Sequence, residues 1–238
     1  MIRAEDLHLS FEDHHVLKGL NLKVEKGETM VIMGCSGCGK SVLLKLIIGL
    51  IMPDKGNIWI DNTDITKLTE KEMDKLRKKF GMVFQSSALF DSLSVSENVG
   101  FSLSRHTNMS REQIAQVVTE KLEMVGLAGS EDLMPSDLSG GMKKRVSLAR
   151  AISMDPEIIL YDEPTTGLDP VMAEEINQLI VKTHDRLTAT SLVVTHDMKS
   201  AFSVATKMAM MNDGRIIAAG TPEEFRQSKD VVVRQFLD

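Results

Sequence analysis

Apolar and polar residues alternate at two places near the start of the chain. Residues 7–11 read Leu-His-Leu-Ser-Phe and residues 20–24 read Leu-Asn-Leu-Lys-Val, so every second side chain is apolar. Successive side chains of a β-strand point to opposite faces, so a period of two is typical of strands with one buried face. The pattern therefore predicts antiparallel strands within residues 1–28.

Further along, short apolar runs without alternation predict strands that are buried on both faces. These runs are Thr29–Met33, Gly81–Phe84, Ile158–Tyr161 and Ser191–Val194. Ligands of α/β proteins collect at the carboxyl ends of such strands. The chain is therefore predicted to be an α/β protein, and the residues that follow these runs are candidates for function.

Between residues 86 and 153 helical periodicity replaces the strand pattern, most clearly in Ser110–Val125. The opening of that segment, Ser-Arg-Glu-Gln, resembles a capping box at a helix start. We therefore predict a helical subdomain inserted into the core. The predicted boundaries are core segments 1–85 and 154–222, a helical subdomain at about 86–153 and a C-terminal tail at 223–238.

The first apolar run leads into a glycine-rich loop that fits a phosphate-binding pattern. Residues 34–41 match G-x-x-x-x-G-K-[ST] at each fixed position, and an apolar-periodic helix follows from Val42. In such a loop the backbone N–H groups and the helix N-terminus face a phosphate chain, Lys40 reaches the β- and γ-phosphates, and the Ser41 hydroxyl holds Mg²⁺. The alternative is a glycine-rich turn that matches the pattern by chance. Such a turn would have no reason to lie between a strand and a helix, as this loop is predicted to do. The predicted nucleotide-binding residues here are Gly34, Cys35, Ser36, Gly37, Cys38, Gly39, Lys40, Ser41 and Val42.

Two other apolar runs end in groups suited to phosphate chemistry. Ile158–Tyr161 is followed by Asp162 and Glu163. Asp162 could hold Mg²⁺ through water, and Glu163 could act as the general base that polarises an attacking water. The last run is followed closely by His196, a candidate γ-phosphate sensor, although a lone histidine is more often structural.

Two weaker signals complete the candidate set. Ser139, Gly140 and Gly141 precede a predicted helix over Lys143–Ile152, so exposed N–H groups at a helix start could bind a second anion. Phe11 stands before a polar turn and could stack on a purine base or belong to the core. The residues alone leave both interpretations of Phe11 open.

The two cysteines of the sequence, Cys35 and Cys38, have the C-x-x-C spacing of a redox pair. Because both lie in the phosphate loop, whose residues must already satisfy another geometry, we favour the loop as the explanation of the spacing. A reducing, cytoplasmic compartment is therefore expected.

Composition limits the remaining possibilities. The 238 residues suffice for one large domain or for a core with an inserted subdomain, and the net charge of −6 argues against nucleic acid as a partner. We expect no secretory leader, because no apolar segment follows the first residues. The longest apolar run, Leu43–Met52, contains Lys45 and falls short of the roughly 20 residues that span a bilayer. Any action at a membrane is therefore expected to need another, spanning subunit.

Taken in order, these motifs resemble those of the ATP-hydrolysing subunits of ABC transporters. The matching features are the phosphate loop Gly34–Ser41, a Q-loop at Gln85, the signature Leu138–Met142, the acidic strand end Asp162–Glu163, a D-loop Gly167–Asp169 and a switch at His196. The resemblance implies a P-loop NTPase with a RecA-like α/β core, an N-terminal antiparallel β subdomain and an inserted α-helical subdomain. It also implies an ATPase that uses ATP and Mg²⁺.

The resemblance implies a role for each matching residue. Phe11 would stack on adenine, and Gln85 would couple Mg²⁺ to a membrane partner. Lys40, Glu163 and His196 would be the catalytic residues, and Ser41, Gln85 and Asp162 would be the metal ligands. The signature residues Ser139, Gly140, Gly141 and Met142, with Asp169 of the D-loop, would bind the ATP held by a second copy in a head-to-tail dimer.

Three local stretches resemble the ATPases of Mla/Mce-type phospholipid transporters in particular. They are residues 84–93, residues 138–146, in which Met142 replaces the more common glutamine, and residues 233–238. This likeness implies a multi-spanning permease, an Mce-domain lipid-binding protein and a small STAS-type regulatory subunit as partners, at the cytoplasmic face of the inner membrane. Cys35 departs from the family, which often has proline there, so the stiffness of the loop is in question.

Two other functions compete with phospholipid transport. An ATPase of an amino-acid or metal-ion importer would share all the hydrolytic motifs, and the identity of the permease would distinguish it. A soluble ATPase of the same superfamily, acting in DNA repair or on ribosomes, usually has long coiled-coil insertions or two tandem cassettes. Neither feature fits this chain.

Overall fold

The computed structural model describes residues 1–229 and 231–237, which form two compact units. The first unit comprises residues 1–77 and the C-terminal part from residue 189, and the second comprises residues 78–188. The predicted boundaries at residues 86 and 153 stay a prediction. None of the helices in the described ranges is long and apolar enough to cross a membrane.

The first unit begins with the predicted antiparallel sheet. Its strands are β1 (Ile2–Phe11), β2 (His14–Val24), β4 (Lys55–Ile60) and β5 (Thr63–Asp64), in the order β2-β1-β4-β5. The apolar positions of β1 and β2 are buried except Phe11, which is exposed, and Val16, which is partly buried, and none of their charged positions is buried. The prediction of an antiparallel β subdomain is thereby confirmed.

A second, mixed sheet in the same unit carries the phosphate loop. Its strands in this unit are β3 (Thr29–Met33), β8 (Thr190–Thr195), β9 (Lys207–Asn212) and β10 (Arg215–Gly220). β3 is parallel to both β8 and β9, and β10 pairs antiparallel with β9 at the edge. Each residue of β3 and β8 is buried, including the hydroxyl residues at the strand ends, and the apolar centres of both strands agree with the prediction.

Five short α-helices also belong to the described part of this unit. They are α1 (Lys40–Ile47), α2 (Glu70–Arg77), α7 (Met198–Val204), α8 (Pro222–Arg226) and α9 (Val231–Leu237). Although α9 lies at the chain end, its Val233 is fully buried, so the apolar tail contributes to packing. Asp230 and Asp238, which belong to the predicted tail, lie outside the described residues.

The second unit combines two parallel strands with longer helices. β6 (Phe80–Val83) pairs with β7 (Ile158–Asp162). The helices are α3 (Val95–His106), α4 (Arg111–Met124), α5 (Gly140–Ala151) and α6 (Pro170–Leu187). The capping box predicted before α4 is present, because the Ser110 hydroxyl accepts from the Gln113 N–H and the Gln113 side chain accepts from the Ser110 N–H.

The start of α5 differs from the sequence prediction. The helix begins at Gly140 rather than at Lys143. Ser139 is its N-cap, and the Ser139 hydroxyl accepts a hydrogen bond from the Met142 N–H at 3.3 Å. This cap satisfies one of the unpaired N–H groups of the first turn. The helix therefore includes Gly140 and Gly141, although glycine has a low helix propensity.

Candidate nucleotide-binding and hydrolysis residues

The phosphate loop joins the buried strand β3 to helix α1. A Cβ atom on Gly34 would lie 2.3 Å from the carbonyl oxygen of Met211 and 2.8 Å from the Cys38 Sγ. Gly39, the N-cap of α1, has a φ of 106°, which L-residues with a side chain rarely adopt. Both fixed glycines of the motif are therefore required by the backbone itself.

Lys40 places its cation inside this loop. Its side chain is buried, and its Nζ donates hydrogen bonds to the carbonyl oxygens of Gly34 and Cys35, each at 2.9 Å. A buried lysine is normally held by partners that compensate for lost hydration. The ammonium group is thus fixed beside the backbone that the motif assigns to phosphate binding.

Ser41, in the first turn of α1, is partly buried, as is Val42. The loop positions Cys35, Ser36 and Gly37 are exposed, whereas Cys38 is buried. Burial raises the pKa of the Cys38 thiol. The exposed part of the loop is therefore the part that a phosphate chain can reach directly.

His196 follows the strand next to β3. Met33 and Thr195 are register partners, so Gly34 and His196 leave their parallel strands at the same edge of the sheet. The His196 side chain is exposed. The structure thus brings the phosphate loop and His196 to the same sheet edge of the first unit, although they are far apart in the sequence.

Phe11 ends β1 and is 49% exposed. A core phenylalanine would be buried, so the structure contradicts that interpretation. The next residue, Glu12, has a left-handed φ of 53° and opens the turn to β2. An exposed ring at a strand end fits the predicted stacking on a base, which stays a prediction.

In the second unit the acidic strand end and the Q-loop share one sheet edge. Val83 of β6 is the register partner of Tyr161 of β7, so Gln85 and Asp162–Glu163 follow at corresponding ends. Gln85 is exposed, whereas Asp162 and Glu163 are each 8% exposed. The buried carboxylates of Asp162 and Glu163 and the exposed amide of Gln85 therefore lie at the same edge of the sheet.

The backbone of Glu163 is held in an unusual conformation. Its φ is 49°, which costs an L-residue about 1–2 kcal/mol relative to the right-handed region. Its Oε2 accepts a hydrogen bond from the Thr166 hydroxyl at 3.0 Å, and its carbonyl oxygen accepts from the Thr166 N–H at 3.2 Å. These bonds keep the carboxylate in one orientation after the strand ends.

Sequence reasoning missed two cations of α5 that contact this region. The Lys144 Nζ donates hydrogen bonds to the carbonyl oxygens of Gln85 and, at 3.5 Å, Glu163. Arg150 donates to the carbonyl oxygens of Ser87 at 2.8 Å and Ala88 at 2.7 Å. No sequence period marks such contacts, because their targets are backbone atoms that lie 19 residues away for Glu163 and 59–63 residues away for the others.

Burial lowers the pKa of Lys144, and the nearby carboxylates of Glu163 and Asp162 oppose that effect. Burial likewise lowers the pKa of Arg150. Lys144 thus gives up hydration for hydrogen bonds to the carbonyl oxygens of Gln85 and Glu163. Arg150 does so for hydrogen bonds to the carbonyl oxygens of Ser87 and Ala88, which follow Gln85. Helix α5 thereby ties the Q-loop and the acidic strand end of the second unit together.

The signature and the D-loop each contribute the N-cap of a helix, Ser139 for α5 and Asp169 for α6. Ser139 caps α5, Gly140 is exposed and Gly141 is buried against Met172 of α6. The Asp169 carboxylate caps α6 by accepting from the N–H groups of Val171 at 3.0 Å and Met172 at 3.1 Å. Met142 is partly buried.

The strand, glycine loop, buried lysine and helix of the first unit define a P-loop phosphate-binding protein. A family model described as "ABC transporter" matches residues 17–166. The chain belongs to the ABC transporter family, and the predictions of an ATP-binding, ABC-type ATPase with a P-loop α/β fold are confirmed.

The chain is similar over its whole length to two known proteins. It is 45% identical to the intermembrane phospholipid transport system ATP-binding protein MlaF of Haemophilus influenzae, covering 100% of this chain and 90% of the relative. It is 42% identical to the probable ribonucleotide transport ATP-binding protein mkl of Mycobacterium leprae, covering 100% of this chain and 68% of the relative.

A solved structure shows the same fold. The dimeric structure of MJ0796, a bacterial ABC transporter cassette, matches with a TM-score of 0.87 at 34% identity. The match covers 93% of this chain and 99% of the cassette. This chain therefore shares the fold of that cassette.

Proposed function

We propose that this chain is the ATP-hydrolysing subunit of an ABC transporter that moves phospholipid between membranes. The observation that carries the proposal is the full-length similarity to the H. influenzae phospholipid transport protein at 45% identity. The alignment reaches both ends of the chain, beyond the segment that the family model matches. The similarity thus includes regions outside the shared phosphate loop.

Each site residue has a proposed role in ATP hydrolysis. The loop N–H groups and Lys40 bind the phosphates, and Lys40 stabilises the charge that develops on the transferred phosphoryl group. Glu163 accepts a proton from the attacking water as general base, and His196 contacts the γ-phosphate. Phe11 stacks on the adenine ring. The exposed ring of Phe11, the buried cation of Lys40 and the oriented carboxylate of Glu163 support these roles.

The donors of the proposed metal site fit Mg²⁺. Ser41 supplies a hydroxyl, Asp162 a carboxylate and Gln85 an amide oxygen, and Mg²⁺ in proteins prefers such hard oxygen ligands. When bound, the ion would neutralise phosphate charge. We propose these three residues as its protein ligands.

A second copy of the chain is the proposed partner in hydrolysis. The related bacterial cassette is described as dimeric. Ser139, Gly140, Gly141 and Met142 would then contact the ATP bound by the other copy, with Asp169 beside them. The exposed helix start at Ser139 and Gly140 supports this role, because the first N–H groups of a helix favour anions.

The membrane partners are part of the same proposal. A multi-spanning permease would hold the chain peripherally at the cytoplasmic face of the inner membrane. An Mce-domain protein would handle the lipid, and a small STAS-type subunit could regulate the assembly.

Transport of a small solute is the second candidate function. It is favoured by the similarity to the M. leprae protein, whose name assigns it to ribonucleotide transport. The ATPase residues are expected to be the same in both cases. Only the permease and the cargo distinguish the two functions.

The test is to tag this chain, purify it from detergent-solubilised membranes and identify proteins and lipids by mass spectrometry. A tagged ATPase of an unrelated importer, purified in parallel, controls for lipid carried by detergent. A permease with an Mce-domain protein and enriched phospholipid would support phospholipid transport. A permease with a solute-binding protein, and lipid equal to the control, would refute it in favour of a small solute.

A further inference from the structure

One turn of the backbone joins the two cysteines of the phosphate loop. The Cys38 N–H donates to the Cys35 carbonyl oxygen at 3.4 Å, which closes a four-residue turn. Gly37, the third residue of that turn, has a φ of 79°, as a type II turn demands. The cysteines are therefore the first and last residues of a single β-turn.

This turn places the two cysteines within reach of each other. The end Cα atoms of a β-turn are less than about 7 Å apart. A disulfide joins residues whose Cα atoms are about 4.4–6.8 Å apart. Burial raises the pKa of the Cys38 thiol, and the nearby Cys35 side chain raises it further.

The two thiols differ in access to solvent. Both are free, with Cys35 exposed and Cys38 buried. Cys35 can therefore react with an oxidant in solution, whereas Cys38 reacts with Cys35 inside the loop. An exposed attacking thiol followed by a buried resolving thiol is the arrangement of two-step thiol–disulfide exchange.

We propose that Cys35 and Cys38 form a reversible disulfide that lowers the affinity of the phosphate loop for ATP. The inference rests on the proposed function, in which this loop binds the phosphates of ATP. The loop thereby becomes a redox-modification site that responds to low-molecular-weight disulfides such as glutathione disulfide.

The exchange balances in two steps. The Cys35 thiolate attacks one sulfur of glutathione disulfide, forming a mixed disulfide and releasing one glutathione thiolate. The Cys38 thiolate then attacks the Cys35 sulfur, forming the Cys35–Cys38 bond and releasing the second glutathione thiolate. The protein loses two electrons and two protons, and one glutathione disulfide is reduced to two glutathione molecules.

The disulfide affects ATP through the backbone of the loop. It fixes the turn in which the Cys38 N–H is directed to the Cys35 carbonyl oxygen. The phosphate-loop motif assigns such N–H groups to the phosphate chain, so the fixed turn withholds a donor from the ligand. It also holds the Cys35 carbonyl that Lys40 contacts, which restricts movement of the ammonium group toward a phosphate.

Binding linkage makes the effect reciprocal. If the disulfide weakens ATP binding by a given factor, bound ATP disfavours the disulfide by the same factor. Coupling of this kind is typically about 5–150-fold. We therefore expect about a tenfold or greater loss of ATP affinity on oxidation, and protection of the thiols by ATP.

The experiment uses the full-length chain, equilibrated with glutathione disulfide or with reduced glutathione. Intact mass and peptide mapping identify the disulfide, and a fluorescent ATP analogue reports affinity by anisotropy. Cys35→Ser and Cys38→Ser are the controls. Because the chain has two cysteines, neither variant can form an internal bond. Each protein is compared with itself before and after oxidation.

The expected result is a Cys35–Cys38 bond, weaker ATP binding that reduction restores, and a smaller oxidised fraction at equilibrium in the presence of ATP. Neither serine variant should show an oxidised form with an internal bond. A stable glutathione adduct in place of the internal bond, or an oxidised loop with unchanged affinity, would overturn the inference while leaving the proposed function intact. Failure of the fully reduced chain to bind ATP would overturn both.

Discussion

Replacing Lys144 by methionine should slow ATP hydrolysis without preventing ATP binding. The Lys144 ammonium donates to the carbonyl oxygens of Gln85 and Glu163. Methionine has a similar length and fills the same buried space, so no cavity forms. The change therefore removes the hydrogen bonds and the charge but keeps the packing.

The magnitude follows from opposing terms. A hydrogen bond to a charged group contributes about 1.5–3 kcal/mol. The buried ammonium also carries a desolvation cost, which is why the pKa of Lys144 is lowered, and methionine removes that cost. We expect a net loss of about 1–2 kcal/mol in the free energy of unfolding. If a similar amount of positioning energy at Glu163 is lost, kcat falls about tenfold.

The assay measures kcat and KM for ATP on the affinity-purified assembly, with denaturant unfolding of the same variant. Lys143→Met, at the neighbouring position of α5, is the control and should keep both kinetic constants near normal. An unchanged kcat in Lys144→Met, with the chain folded, would refute the positioning of Glu163 by Lys144. A rise in KM alone would also refute it.

Three further predictions follow from the described contacts. Gly34→Ala should abolish nucleotide binding, measured by anisotropy, because a Cβ would lie 2.3 Å from the Met211 carbonyl oxygen; normal affinity would show that the loop tolerates the shift. Asn98→Leu should lower the free energy of unfolding by about 3 kcal/mol, because the buried Asn98 amide accepts a hydrogen bond from the Phe90 N–H at 2.9 Å and donates one to the Phe90 carbonyl oxygen at 3.1 Å. An unchanged midpoint of urea unfolding would contradict this prediction. Phe11→Ala should weaken binding of ATP and of other purine nucleotides alike, about tenfold, while thermal stability changes little because the ring is 49% exposed; equal affinity would remove Phe11 from the site.

The sequence predicted features that depend on local spacing. The phosphate loop, the acidic strand end and the capping box before α4 are set by residues close together in the chain. The alternation in β1 and β2 also follows directly from burial of one face. Each of these could therefore be recognised without knowledge of the tertiary structure.

Features that depend on distant contacts were not predictable in the same way. Lys144 looked like one of several cations in a helix, yet it is buried against the carbonyl of Gln85. The left-handed backbone of Glu163 has no marker in its residue type, because glutamate rarely adopts it. The early start of α5 depended on the Ser139 cap outweighing the low helix propensity of Gly140.

The central claim is that Glu163 is the general base of ATP hydrolysis. The most direct test measures ATP binding and ATP turnover for Glu163→Gln in the purified assembly. Glutamine keeps the size of the side chain and an oxygen that can accept from Thr166, so the site remains folded. Glu157→Gln is the matched control, since Glu157 is an exposed carboxylate of the same unit that pairs with Lys79 at 3.0 Å.

The account predicts that Glu163→Gln binds ATP with normal affinity but hydrolyses it about 10²–10⁴-fold more slowly, as expected when a general base is lost. Glu157→Gln should retain normal turnover. Near-normal turnover in Glu163→Gln would contradict the assignment of the catalytic base.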